Sequence, residues 1–301
     1  GVRDVRYEVA REARIDGDRA RLPVRVVYRV RSIPGRFTAR QTFAATRSGR
    51  RWRVRARDAE RQQPPWEVAA MTRRRTAHFV ILSPRGDDGD LDAALERAYD
   101  QMGEVLRDDV LRRRYLVQVA ATPTQARALT ASIRGVRTLT AITDSEVREE
   151  GAAQRVAEVV SQRLIVLRPN FLRADPEGRV TVLAHELAHA ALAEATSGRT
   201  PAWLGEGIAL YVSGDRREAE AAQLAVPTLA ALSTPDAIAR VGGDRQAGAY
   251  AYSSAAAFFI AERFGRAKLL DLYEVFNEET LVGEAGDPEL VDAAVRRVLR
   301  V

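Results

Sequence analysis

Cysteine is absent from the 301 residues, histidine occurs three times, and Lys268 is the only lysine. Without cysteine the chain has no disulfide framework, no thiolate nucleophile and no cysteine-ligated metal. That absence neither requires nor forbids an oxidising compartment. Long apolar runs are also missing: no stretch approaches the ~20 residues that span a bilayer as a helix. Neither internal repeats nor a long low-complexity tract is present. Forty-six of the 47 basic residues are arginine, which points to GC-rich coding more than to a selected chemistry. The length leaves room for two domains and a sizeable core.

The charge is unevenly spread. Residues 1–75 hold 21 Arg against 8 acidic residues, a net of +13, while the whole chain is +6, so the remainder is −7. Apolar and polar residues alternate in Val24-Arg25-Val26-Val27-Tyr28-Arg29-Val30 and Trp52-Arg53-Val54-Arg55. That period belongs to half-exposed antiparallel strands. Strands are expected near 2–11, 21–31, 36–47 and 51–57, with a hairpin turn at Ser48-Gly49-Arg50. Such a sheet has no helix of its own to cover it and needs a partner layer. The arginines sit at alternating strand positions without a nucleic-acid recognition motif, so specific nucleic-acid binding is not expected. A solvated face is the plain reading, and contact with an anionic cell surface the sharper one.

The chemistry concentrates in Val182-Leu183-Ala184-His185-Glu186-Leu187-Ala188-His189. On a helix, positions four apart share a face, so both imidazoles can point at one metal ion. Glu186 is offset from that face, toward water beside the metal. With histidine this scarce, an accidental His-Glu-x-x-His has a frequency of roughly two in a thousand. The surrounding Val182, Leu183, Leu187, Ala190, Ala191 and Leu192 predict a buried helix, with Gly198 as its stop. The competing reading is a core helix with two hydrogen-bonded histidines, each needing a buried partner.

A catalytic zinc site needs a third protein ligand and an open position. His78, at the start of the apolar run Phe79-Val80-Ile81-Leu82, is expected to be structural. The better candidate is Glu206 in Thr200-Pro201-Ala202-Trp203-Leu204-Gly205-Glu206-Gly207-Ile208-Ala209. Thr200 reads as the N-cap and Pro201 as the first residue of a second helix. A short turn around Ser197 to Thr200 would aim Glu206 back at the histidines. Gly205 and Gly207 permit close helix approach. The ordinary alternative for Glu206 is a surface position on an amphipathic helix.

His185-Glu186-x-x-His189 followed by Trp203-Leu204-Gly205-Glu206-Gly207-Ile208-Ala209 resembles the peptidase MA-like branch of the gluzincins, the thermolysin-type zinc peptidases. The likeness covers residues from about Thr76 onward. It implies Zn2+ as cofactor, His185, His189 and Glu206 as metal ligands, Glu186 as general base, and a peptide or protein substrate. It also implies a helix carrying a tyrosine that stabilises the oxyanion. Counting back from Gly265, Tyr250 fits that role better than Tyr252, although both could be packing aromatics. The metzincin pattern is excluded, because its glycine and third histidine would fall on Leu192 and Ala195. Two departures stand out. The spacing from His189 to Glu206 is short for thermolysin-like enzymes. The acidic residue expected one turn after Glu206 is Leu210, which leaves the partner of His185 open.

Other elements are expected as a helix over Leu91–Val110, a strand over Tyr115–Val119 and a helix over Thr124–Ile133. Strands over Thr138–Thr143 and Arg163–Pro169 come next, then helices over Ser254–Phe264, Arg266–Asn277 and Pro288–Leu299. By resemblance, Leu164–Leu167 would border the cleft with an unpaired edge for an extended peptide. The expected fold class is α+β. An antiparallel sheet domain (1–61) and a linker (62–75, containing Gln62-Gln63-Pro64-Pro65-Trp66) precede a zincin-like domain (76–301) with a small mixed sheet and a helical lobe. The first domain resembles the sheet half of a nuclear-transport-factor-2-like domain. In that case its helices would precede Gly1, or the sheet packs on the zincin-like domain. A start without Met suggests a processed or trimmed portion, and an extracytoplasmic or membrane-anchored bacterial location is expected. The expected activity is zinc-dependent peptide hydrolysis. The alternative is a catalytically inert zinc-containing adhesion module.

Overall fold

The computed structural model describes residues 1–9, 13–58, 62–130, 139–151, 155–217, 229, 232–234, 238, 244–278, 280–281, 283 and 287–300. The architecture is α+β, with one antiparallel sheet, a second mixed sheet and helices. The chain divides into two compact units. The first comprises Gly1–Ala93, Arg113–Glu146 and Val160–Arg179; the second comprises Ala94–Arg112, Val147–Val159 and Val180–Val301.

In the first unit, β1 (Val2–Val9), β3 (Arg19–Val30), β4 (Phe37–Ser48) and β5 (Arg51–Asp58) lie side by side in that order, and β2 (Arg14–Asp16) pairs with β3. The alternation does what it predicts. Along β3, Val24, Val26, Tyr28 and Val30 are buried, while Arg19, Arg21 and Arg25 are exposed. The register Arg14↔Arg21, Arg6↔Val27 and Arg25↔Arg40 gathers the arginines on one face. Glu8 meets Arg25 there at 2.6 Å, an exposed pair that contributes at most about 1 kcal/mol. Gly49 follows β4 with φ +62°, a backbone that suits glycine at the hairpin.

The opposite face of the sheet is covered from within the same unit. Tyr28, Val30, Ile33 and Phe37 share a cluster with Val80, Leu82 and Leu116 of the second sheet. Trp66 adds an edge-on ring at 4.9 Å from Tyr28. Thus the first sheet packs on strands later in the chain. The expected linker, 62–75, holds α1 (Pro65–Val68) and β6 (Met71–Arg75).

The second sheet has the order β6, β7 (Phe79–Pro84), β8 (Tyr115–Ala120), β10 (Arg155–Leu167), β9 (Ala141–Glu150). Strands β7 and β8 run parallel and are buried throughout, which explains their unbroken apolar sequence. Here one expectation is corrected. Leu164–Leu167 has no open edge: it pairs with β8, and the Leu167 N–H donates to Thr140 O at 2.9 Å. Strand β9 lies on its other side, so the sheet edges are β6 and β9. His78 sits in the turn before β7, where its carbonyl accepts from the Tyr115 N–H at 2.9 Å.

Several boundaries move. Helix α2 (Leu91–Val105) stops before Val110, which belongs to a separate 3-10 turn. Helix α3 spans Pro123–Leu129, with the Thr122 hydroxyl accepting from Gln125 N; Ala131–Ile133 and Thr138 lie outside the described residues. Pro169 does not end a strand but enters the first turn of α4 (Arg168–Arg173). No described helix is long and apolar enough to cross a membrane.

Candidate metal centre

Four helices frame the site: α5 (Pro176–Leu192), α6 (Ala202–Ser213), α7 (Asp244–Phe264) and α8 (Arg266–Glu274). Helix α5 runs on from the first unit and is buried along its length past Val180, at Leu183, Ala184, Leu187, Ala188 and Ala191. His185 and His189 are half-buried on one face, rings edge-on with centroids 4.8 Å apart. The helix ends at Leu192, six residues short of Gly198, so the expected glycine stop is wrong. Thr196 ends it instead, its hydroxyl donating to Leu192 O at 2.9 Å.

The turn to α6 is built from hydroxyls. Thr200 Oγ1 accepts from the Ser197 N–H at 3.0 Å, and the Thr200 N–H donates to Ser197 O at 3.0 Å. Thr200 is therefore occupied and does not cap α6. The cap position is Pro201, and the Ala202 N–H is satisfied by Ser233 O at 2.8 Å. The expected start is thus one residue early. Within α6, Trp203, Leu204, Ile208, Leu210 and Val212 are buried, and Glu206 is the only charged side chain. A carboxylate on so apolar a helix needs a partner.

Its partners are the histidines. Glu206 Oε2 lies 3.3 Å from His185 Nε2 and 3.4 Å from His189 Nε2, and the two Nε2 atoms are 3.2 Å apart. Among the described residues these three form the cluster able to hold a metal ion. Zinc with bonds of ~2.0–2.1 Å in a tetrahedral site needs ligand separations of about 3.3–3.4 Å. The three donors meet that requirement. Glu206 Oε2 is buried and accepts no hydrogen bond, so the atom aimed at both imidazoles is an orphan that a cation would satisfy. The donor set of two imidazoles and one carboxylate fits zinc.

The electrostatics agree. Burial disfavours the charged form of Glu206, but His189 and His185 outweigh it and hold the carboxyl well below the usual range. Burial also opposes charge on His189, yet Glu206 lifts its pKa to about 9. Glu206 thus favours positive charge beside it, here on His189.

Helix α7 crosses α6 closely because Gly207 has no side chain. A Cβ there would come 2.5 Å from Ser253 O and 3.1 Å from Ala257 Cβ. Gly205 has room, with Tyr273 Cε2 4.0 Å away. Gly207→Ala should push α7 away and cost about 1–3 kcal/mol, read from a denaturant midpoint. Helix α7 starts at Asp244 rather than at the expected Ser254, so Tyr250 lies inside it. The chain leaves α7 at Gly265, φ +95°, as expected.

A cavity of about 360 Å3 opens beside the triad. His189, Glu206, Ser233, Ile238, Tyr250 and Tyr273 line it, with the Thr196–Ala202 turn. Tyr250 is part of this wall and Tyr252 is not. Burial first, then the Glu206 and Glu186 charges, raise the Tyr250 pKa far above neutrality, so its phenol stays a donor. Arg217 stacks over its ring at 5.8 Å. Tyr273, pushed up to about 12 chiefly by burial, meets the Thr196 hydroxyl at 2.6 Å. Tyr273 and Ser233 carry no signal in the sequence, because only tertiary contact brings them to the cavity. Leu210, one turn after Glu206, is buried and apolar. His78 belongs to the first unit and is not part of the cluster.

No family model matches the chain, and no curated protein or solved structure matches it.

Proposed function

We propose that the chain is a zinc-dependent metallopeptidase that hydrolyses peptide bonds with metal-activated water, and that the second unit is zincin-like. One observation carries this reading: His185 Nε2, His189 Nε2 and Glu206 Oε2 converge to 3.2–3.4 Å, with Glu186 adjacent on the same helix. When bound, zinc would lower the pKa of a water toward neutrality and polarise the substrate carbonyl. His185, His189 and Glu206 would hold it. Glu186, outside the converging set, takes a proton from water and returns it to the leaving amine. Tyr250 donates a hydrogen bond to the carbonyl oxygen as that oxygen gains charge. The arrangement leaves the side facing the cavity open to substrate.

Chelation tests the reading. A strong chelator is expected to abolish cleavage of an unfolded protein, and added zinc to restore it. Cleavage indifferent to chelator would sink the proposal. One zinc per chain without any cleavage would favour the inert adhesion module, with the arginine face of the first sheet as its working surface. Tyr250→Phe is expected to lower kcat about 100-fold at unchanged zinc content, measured by steady-state kinetics and metal analysis.

A further inference from the structure

The first sheet carries one strongly cationic face. Its register sets Arg25 directly opposite Arg40 and Arg14 opposite Arg21. Arg6 and Arg53 lie on the same face, opposite Val27 and Thr46, so each of the five strands contributes. All six arginines are exposed. Like charges directly opposite one another destabilise a sheet unless something offsets them. Glu8 answers Arg25, and Asp16 lies opposite Arg19. Arg6, Arg14, Arg40 and Arg53 form no ion pair among the described residues. Coding bias accounts for arginine in place of lysine. It does not account for where the charge sits, with +13 on residues 1–75 and −7 on the remainder.

The shape and chemistry of the face narrow its partner. With strands ~4.8 Å apart and β3 running 12 residues, it is a broad surface of roughly 15 Å by 40 Å. Tyr7 and Trp52 are exposed as well, but they lie opposite Val26 and Arg47, on the other face of the sheet. The arginines are therefore not interleaved with these rings, on which unpaired bases could stack. A duplex groove admits a helix or a two-stranded ribbon, not a face of this width. A layer of anionic lipid headgroups is itself broad and spreads its phosphates across a plane. Guanidinium groups bind phosphate in bidentate fashion, and each basic side chain near such a layer adds to the attraction.

We propose that the arginine face of the first sheet docks on an anionic lipid bilayer as a peripheral, electrostatic contact. The proposal goes beyond the metal centre and does not depend on it. Salt should weaken the contact steeply, because the screening length falls from about 10 Å at 0.1 M to about 3 Å at 1 M.

The test is sedimentation of the full chain with vesicles of phosphatidylcholine alone or mixed with phosphatidylglycerol. Wild type is expected to bind the anionic vesicles at about 0.1 M salt, to leave them at about 1 M, and to ignore phosphatidylcholine. Arg6→Gln, Arg14→Gln, Arg40→Gln and Arg53→Gln combined should weaken binding about 100-fold, while lysine at the same positions should retain most of it. As a control, Arg85→Gln, Arg113→Gln, Arg263→Gln and Arg300→Gln remove the same net charge from exposed positions elsewhere and should weaken binding less than about threefold. If the combined sheet variant does not fold, Arg6→Gln and Arg40→Gln are measured singly, each about fivefold weaker than wild type. The proposal is overturned by a wild type that ignores the anionic vesicles, by a sheet variant that binds as tightly as wild type, or by a control that loses as much. Tighter binding, per phosphate, of a short DNA duplex than of the vesicles also overturns it and assigns the face to nucleic acid. Cleavage plays no part in the readout, so failure here leaves the peptidase proposal standing.

Discussion

Glu186→Gln is expected to retain about one zinc per chain and to cut cleavage of an unfolded protein by ~10²–10⁴-fold. Metal content is retained because the three converging atoms belong to His185, His189 and Glu206. Activity falls because glutamine matches glutamate in shape but accepts no proton near neutral pH. The substitution is also mild for the fold. Glu186 is half-buried, and the helix is anchored by Leu183, Leu187 and Leu192, which remain in place. Metal analysis and a cleavage assay on the same preparation decide the matter. Equal cleavage by wild type and variant would remove Glu186 as general base. Loss of zinc would make it a ligand.

The centre was legible where it depends on local periodicity. Two histidines four apart on an apolar run can only share a helix face, and they do. Glu206 was legible from its place on a helix that a short turn and a proline bring back toward the histidines. The flanking details were not. Thr200 resembles an N-cap until its hydroxyl is seen serving Ser197, and Gly198 resembles a stop until Thr196 caps α5 earlier. These are choices between two local bonds of similar strength, and sequence alone does not rank them. The sheets divide the same way. Alternation in β3 identified its faces, whereas the cover over Tyr28 comes from Trp66, Val80 and Leu116, far along the chain. Strand order was hidden for the same reason: Leu164–Leu167 reads as apolar whether one neighbour or two flank it. Ser233 and Tyr273 lie furthest from any pattern, since each reaches the cavity through non-local contacts alone.

Removal of a ligand should have the second large effect, on stability as well as activity. A ligand that binds only the folded state stabilises it by RT ln(1 + [L]/Kd), about 4 kcal/mol at a thousandfold excess over Kd. For wild type this corresponds to a fall in Tm of roughly 10 °C on adding excess chelator. His189→Ala and Glu206→Ala should lack stoichiometric zinc, lack cleavage and show no chelator shift, since two donors hold the ion far less tightly than three. The two variants should still differ when metal-free. In His189→Ala the half-buried Glu206 carboxylate loses the neighbour that most strongly favours its charge, leaving His185 at 3.3 Å. In Glu206→Ala the imidazoles lose an anion, but they are tolerated neutral. His189→Ala should therefore melt lower than Glu206→Ala, because an under-partnered, half-buried charge costs more than an uncharged pair. Calorimetric melts with and without chelator separate the two contributions. A wild type whose Tm ignores chelator would refute a structural contribution from the metal. A Glu206→Ala protein that kept stoichiometric zinc would show that the third ligand lies elsewhere, and with it would go the argument that a lone carboxylate on an apolar helix is there for a cation.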